Sequence, residues 1–509
     1  MSFRSAPGHV VLWKNTELPD FSNFVFCEAY YRAHSVLRRI LSLARKLQFR
    51  SVLVEEIHAG ECPLLTAENE ALASRTKDFK GSAVHRLTFF RSRANTPPQP
   101  HEFLGYAVFK LDHFNGGDVG HVFEAVVRPV RGVKQNNFLH TQRQFDLTTS
   151  VGSGTIPGAM YAQQNNFTFV CAHVALRAVL SSILPAADVT YSELNAVAGV
   201  DHKYPDKSVG KGTGRGLQPA QIESILKHYS VPFRRLLHEP HVKELPAKIE
   251  YQAELYAAIE SGRPALLGFE LAADPTMGAA GPRHLIPVLG HTFNDDAWVP
   301  DAERFYFFRD QGYFRSEAWL SAYVVHDDNL GPYYCLPRHY MSRQSFRLLY
   351  SLQPASSSLS ISEAEALAFS TLTSIHKTVP ALGLGWYDRF AAYALTKSLV
   401  LRSFQVNRRQ YLDHLLNIQD PRGQRFPVTE IANIEKTLPE HFWLIEISAP
   451  ELFPMSRQKF GEIAFPPDRP VDGSDVVPFF TRLPGVIIRG LTPQRIQPEG
   501  YTPLLTLRN

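Results

Sequence analysis

Residues 160–185 read MYAQQNNFTFVCAHVALRAVLSSILP, a polar run that turns into an apolar helix at a single cysteine. Val174, Ala175, Ala178 and Val179 follow Cys171 at +3, +4, +7 and +8, the spacing of one helix face. Cys171 is therefore predicted at a helix N-terminus. There the unsatisfied amides and the positive end of the helix dipole favour thiolate, the form that attacks a carbonyl carbon. A cysteine standing alone would read as a small apolar packing residue. What lies downstream points elsewhere.

GPRHLIPVLGHTF puts His284 at the entrance to an apolar strand, and AYVVHDDNLGPYY predicts a second strand ending in Asp327 and Asp328 before a Gly-Pro turn. If these strands are neighbours, a carboxylate reaches the imidazole. A thiolate needs an imidazole to take and return a proton, and the imidazole needs a third group to fix its tautomer. Cys171, His284 and an aspartate supply these in chain order, with Asp310 in FYFFRDQGYF a further candidate for the acid. His173 would point about 200° away from Cys171 on a helix and reads as structural. His291 lies an odd number of residues beyond His284 on the same strand, so it faces the other side and is the lesser candidate for the base.

In order and surroundings these residues resemble the papain-like cysteine peptidase superfamily, most closely the branch of bacterial leader-peptide (double-glycine) peptidases. The resemblance covers roughly residues 160–340 and rests on three features. They are a glutamine ahead of Cys171, the middle segments GRGLQPAQIESILKHYSVPFRRL and LYAAIESGRPALLGFEL, and a histidine opening a strand that ends in glycine. It implies an α+β fold in which a helix carrying Cys171 packs on an antiparallel sheet carrying His284 and an aspartate. It further implies a nucleophile at Cys171 and a general base and acid at His284. The oxyanion donor would be Gln164 by residue identity or Asn165 by spacing. The orienting acid would be Asp328, counting back from Gly331, or Asp327, counting strand alternation.

The implied activity is that of a thiol peptidase. It would hydrolyse peptide or isopeptide bonds of a peptide or protein substrate through a thioester acyl-enzyme, with no cofactor and no metal. The chain also departs from the family. Cys171 is followed by Ala-His in place of the usual Gly or Ser-Cys-Trp signature, and a long insertion, NDDAWVPDAERFYFFRDQGYFRSEAWLS, precedes the aspartates. That insertion is expected to form a lid or a substrate-facing loop. Two alternatives stay open: a thiol-dependent deamidase or acyltransferase, and an inactive papain-fold scaffold. A regulatory protein partner is compatible with each.

At 509 residues, and roughly 100–200 per domain, the chain predicts about three domains. Apolar residues at 44% and charged residues at 20% are globular values, and a net charge of +4 gives no field that would draw nucleic acid. No window nears the roughly 18–20 apolar residues of a membrane helix, and no signal-peptide core opens the chain, so a soluble cytoplasmic protein is expected. Cys27, Cys62, Cys171 and Cys335 lie far apart without a CxxC, which argues against a disulfide framework or structural zinc. Cys27, Cys62 and Cys335 are read as packing residues.

Residues 1–150 predict an α+β domain with an amphipathic helix at 29–49, its basic face solvated. A meander of SVLVEEI, VHRLTFF, FLGYAVFKL and HVFEAVVRP follows. These strands would also suit an acetyltransferase-like sheet, though no acyl-carrier loop is visible. GSGTIPG opens the thiol-enzyme domain, residues 151–345, as a glycine-rich break. The GTGRG run at 212–216 lacks a preceding strand and a following Lys-Ser/Thr, so it reads as a turn and not a phosphate loop. Residues 346–509 predict a third, α+β domain. It opens on the serine-rich linker SLQPASSSLSISEAEA and continues with helices near 361–377 and 386–417, the latter exposing Arg402, Arg408 and Arg409. Strands FWLIEIS, FGEIAF and GVIIRGL close it.

Overall fold

A computed structural model describes residues 3–6, 8–15, 31, 34–130, 136–139, 142–165, 167–168, 170–184, 189–203, 216–237, 251–270, 283–293, 312–338, 346–378, 385–419, 423, 425–453, 457–489, 496–498 and 505–506. The fold is α+β with several antiparallel sheets. Contacts group the chain into two compact units. The first holds Met1–Val231, Pro264–Gly290 and Tyr323–Tyr350; the second holds Pro232–Arg263, His291–Ala322 and Ser351–Asn509. The boundary expected near residue 150 falls inside the first of these. No helix among the described residues is long and apolar enough to cross a membrane.

The first unit begins with β1 (His9–Asn15), α1 (Ser35–Lys46), β2 (Ser51–Glu56), α2 (Pro63–Arg75), β3 (Phe79–Phe90), β4 (Phe103–Phe114) and β5 (Gly117–Val127). The hairpin β6 (Arg143–Thr149) and β7 (Gly152–Gly158) comes next, then the short β8 (Met160–Tyr161). Strands β1 to β5 and β8 form one antiparallel sheet in that order, the expected meander with a strand added at each edge. The apolar stripe of α1, Val36, Leu37, Ile40, Leu41 and Ala44, packs with Leu87, Phe89, Ala107, Phe109, Val122 and Ala125 of the strands. The helix is shorter than the 29–49 span, because His34 caps it by accepting from the Leu37 N–H at 3.3 Å.

GSGTIPG is a strand, not a break, because glycines allow close approach: a Cβ at Gly154 would sit 2.3 Å from the Phe103 ring. A fully buried Arg86 ties the hairpin to the sheet. It pairs with Glu55 at 2.6 Å and donates to the carbonyls of Phe3, Ser5 and Thr148 at 2.6, 2.7 and 2.9 Å.

Next come α3 (Cys171–Ile183), α4 (Tyr191–Val197), α5 (Pro219–His228), β9 (Ala265–Glu270), β10 (Arg283–Phe293), β11 (Ala322–Asp327), β12 (Gly331–Pro337) and β13 (Phe346–Leu352). A second sheet runs β13, β9, β10, β11, β12. Helix α3 packs on β8 and β9 and is buried around almost its whole circumference, as its apolar composition requires.

The second unit contains α6 (Ile361–Thr378), α7 (Gly385–Thr396), β14 (Leu399–Asn407), α8 (Arg408–Asn417), α9 (Val428–Thr437), β15 (His441–Ser448), β16 (Gly461–Phe465), β17 (Phe480–Leu483) and β18 (Val486–Ile488). The helix expected over 386–417 is interrupted by β14, whose LVLRSFQVN carries the β-branched and aromatic residues that suit a sheet. Arg402 is accordingly buried, pairing with Glu260 and with Glu446 at 2.7 Å, and not solvated on a helix. Arg408 pairs with Glu440 at 3.4 Å and Arg409 is exposed. Glu446 and Glu462 are register partners, with Lys459 bridging them at 2.7 and 2.6 Å, and Arg482 pairs Glu462 at 2.6 Å.

The serine-rich stretch is fastened in place. Leu359 is buried, Ser357 donates to the Pro467 carbonyl at 2.6 Å, and Ser360 and Glu363 form a capping box on α6. Breaking a buried charge pair leaves the partner uncompensated, so Arg86→Ala is expected to cost about 3–5 kcal/mol of stability. Urea unfolding of parent and variant measures it; a loss under about 1 kcal/mol would show that the hairpin anchor contributes little.

Candidate active site

Cys171 is the first residue of α3, which follows extended backbone at Val170. His284 is the second residue of β10 and lies opposite Phe269 of β9 in the ladder, their rings 5.5 Å apart edge to face. β11 neighbours β10 and ends at Asp327, so the two strands deliver the imidazole and both carboxylates to one end of the sheet. His284 Nε2 lies 3.1 Å from Asp328 Oδ1 and 3.6 Å from Asp327 Oδ2, and the Cys171 side chain interacts with the ring.

The two aspartates do different work. Asp327 Oδ1 accepts from the Asn329 and Leu330 N–H groups at 2.8 and 3.0 Å, closing an Asx turn. Asp328 is the nearer partner of the imidazole. The turn itself is fastened from two sides. The Tyr161 hydroxyl donates to the Asp327 and Asp328 carbonyls at 3.2 and 3.3 Å, and Arg39 of α1 donates to the Pro332 and Tyr333 carbonyls at 2.8 Å each. Arg39 is thus engaged rather than part of a solvated face. Gly331 adopts φ 105°, and a Cβ there would lie 2.6 Å from Arg39 Cδ, so this turn requires glycine.

Burial works against a charged His284, but its interactions with Asp327, Asp328 and Cys171 outweigh it and raise its pKa to about 12. Burial likewise opposes the Asp327 carboxylate, yet its bonds to His284 and to the turn amides leave its pKa below the usual value. The imidazolium therefore stabilises the fold fully below about pH 6.5 and loses that contribution only as pH climbs through its raised pKa. The carboxylate contributes above about pH 3.9 and loses its contribution as pH falls through its lowered one.

Behind Cys171 runs a buried polar chain that the sequence does not announce. His173 Nδ1 accepts from the Val170 N–H at 3.4 Å, which leaves Nε2–H to donate to Asn195 Oδ1 at 2.8 Å. Burial lowers the His173 pKa to about 4, keeping the ring neutral. Asn195 Nδ2 donates to His202 Nδ1 at 2.9 Å, and His202 Nε2 lies 3.3 Å from Glu68 of α2. Glu68 accepts from Thr168 at 2.6 Å, and Thr168 accepts from Asn165 Nδ2 at 2.8 Å. Asn165 Oδ1 takes the Phe167 and Thr168 N–H groups. Its amide is thus fully engaged in shaping the approach to Cys171, whereas Gln164 is half-buried and has no hydrogen-bond partner among the described residues.

His291 is buried against Glu260. Asp310, Cys27, the first four residues of GTGRG and residues 294–311 of the insertion lie outside the described residues. Cys62 is buried and Cys335 half-buried, both as free thiols. Glu68, Thr168, Asn195 and His202 carry no local sequence signal, since their partners are distant in the chain. His284, Asp327 and Asp328 also bring ligand atoms within 4.8 Å of one another, a set that a divalent cation could span.

No protein-family model matches the chain, and no curated protein or solved structure matches it significantly. The charge state of the pair generates a direct expectation. Alkylation of Cys171 by iodoacetamide should show no rise through the ordinary imidazole range near pH 6.5, because His284 is held as imidazolium across it. Cys62 and Cys335, whose thiol pKa values burial pushes up, should react only at alkaline pH. Site-resolved mass spectrometry against pH measures this; a sigmoid centred near pH 6.5 at Cys171 would show that the resting imidazole is neutral.

Proposed function

We propose that the chain is a papain-like cysteine peptidase, hydrolysing a peptide or isopeptide bond through Cys171, His284 and Asp328. The observation that carries this is the convergence of three elements. A half-buried thiol at a helix N-terminus meets an imidazole, and that imidazole is backed at 3.1 Å by a carboxylate.

In the reaction, Cys171 attacks the carbonyl carbon as the thiolate, its proton already held on His284, and the carbon–oxygen π pair moves onto oxygen. The Cys171 N–H and the Gln164 side-chain amide supply the donors for that oxyanion. The tetrahedral adduct collapses, the C–N bond breaks, and His284 gives its proton to the leaving amine, leaving a thioester and a neutral imidazole. Water then loses a proton to His284 as its oxygen attacks the thioester. Collapse expels the Cys171 thiolate, releases the acid and restores the imidazolium. Asp328 holds the ring throughout. If an amine or ammonia takes part in place of water and peptide, the same groups perform acyl transfer or deamidation. The substrate decides among these.

A hydrolase using a cation on His284, Asp327 and Asp328 is the second reading, favoured by the spacing of their ligand atoms. The test is turnover of a peptide library followed by mass spectrometry. Cys171→Ala should abolish cleavage, and His284→Ala should lower kcat/KM by roughly 10²–10⁴-fold. A chelator should leave the activity unchanged. Loss of activity with chelator, or full activity of Cys171→Ala, would overturn the thiol mechanism.

A further inference from the structure

We infer that His326 is a positioning residue for the orienting acid, holding Asp328 through one buried water molecule. The inference concerns a residue next to the proposed triad and rests on that reading for its catalytic consequence. His326 and Asp328 are 3% and 4% exposed. His326 Nδ1 lies 3.0 Å from the Met160 carbonyl, an oxygen that can only accept, so Nδ1 carries the proton and Nε2 is a bare acceptor. The ring is held between Tyr161 and Tyr333, at centroid distances of 5.5 and 4.9 Å.

Asp328 presents Oδ1 to His284, while its Oδ2 is buried. Neither His326 Nε2 nor Asp328 Oδ2 has a hydrogen-bond partner among the described residues. Both residues line the same cavity, which Cys171 and apolar side chains of α3 and β10 complete. Its volume is about 10 Å³, room for a single water.

Two acceptors cannot bond to each other, and a buried acceptor left without a donor is costly. A water molecule supplies two donors in this volume, one for each atom. Bound so, it fixes the rotation of the carboxylate and keeps Oδ1 turned to His284.

The test uses two variants of the full chain. His326→Gln places an amide nitrogen at the Met160 carbonyl and an oxygen near the position of Nε2, preserving both roles. His326→Phe fills the space and offers no acceptor. Cys171 alkylation by iodoacetamide at pH 7 should be slowed about 10-fold in His326→Phe and changed less than about 2-fold in His326→Gln. Independently of reactivity, ¹⁵N spectra of the parent should show His326 protonated at Nδ1 only. A high-resolution crystal structure should show one water within hydrogen-bond distance of Nε2 and Asp328 Oδ2.

Parent-like reactivity of His326→Phe, a proton on Nε2, or a dry cavity would each overturn the proposal. If His326→Phe does not fold, the spectra and the crystal structure of the parent still decide. If the parent shows no selectivity for Cys171 over Cys62 and Cys335, the peptidase reading fails, while those two measurements still settle the link between His326 and Asp328.

Discussion

A carboxylate as buried as Asp328 cannot keep its charge without a partner, because desolvation costs several kcal/mol per ion. His284 is that partner, and the pairing links the requirements of folding to those of chemistry. The imidazolium offsets the buried carboxylate, and the aspartates in turn keep the ring protonated beside the Cys171 sulfur. Much of the surrounding structure serves this arrangement. The Asx turn at Asp327, the Tyr161 hydroxyl, the Arg39 guanidinium and the left-handed glycine at 331 all fix one short turn between β11 and β12.

The second unit solves a similar problem on a larger scale. Glu260, Arg402, Glu446, Lys459, Glu462 and Arg482 lie in an unbroken buried row, three acids alternating with three bases. Burial opposes the charges of Arg402, Glu446 and Glu462, yet the neighbouring cations hold Glu446 below its usual pKa and Glu462 at about 2. The row crosses the strands at register positions: Arg402 opposite Glu446, Glu446 opposite Glu462, Glu462 opposite Arg482. A slip of one residue would turn each charge to the other face, so the row specifies register more than it adds stability.

What could be read from the sequence follows from range. The meander and α1 are written in local periodicity, and so is the helix start at Cys171, because apolar spacing and turn residues act over a few positions. The pair Asp327 and Asp328 could be found but not ranked, since the choice depends on which oxygen a turn uses. Spacing points to Asn165 and residue identity to Gln164 as the amide donor, and that the Asn165 amide closes its own loop is a use no local pattern announces. Arg402 misled because an arginine in an amphipathic-looking run is ordinarily solvated, and its partners Glu260 and Glu446 lie far off in the chain. The polar chain from Asn165 to His173 was hidden for the same reason.

The Glu68 carboxylate has an evolutionary consequence. It comes from α2, more than ninety residues before the cysteine, yet it accepts the Thr168 hydroxyl and faces His202 beside the loop that leads to Cys171. β8, which leads into that loop, is at the same time an edge strand of the N-terminal meander. A recombination event that copied only the stretch from the thiol to the acid into another gene would leave behind the carboxylate that shapes the thiol's surroundings. The segment with the cysteine, histidine and aspartates is therefore not a transferable cassette, and descent with modification of this arrangement has to carry the meander along with it.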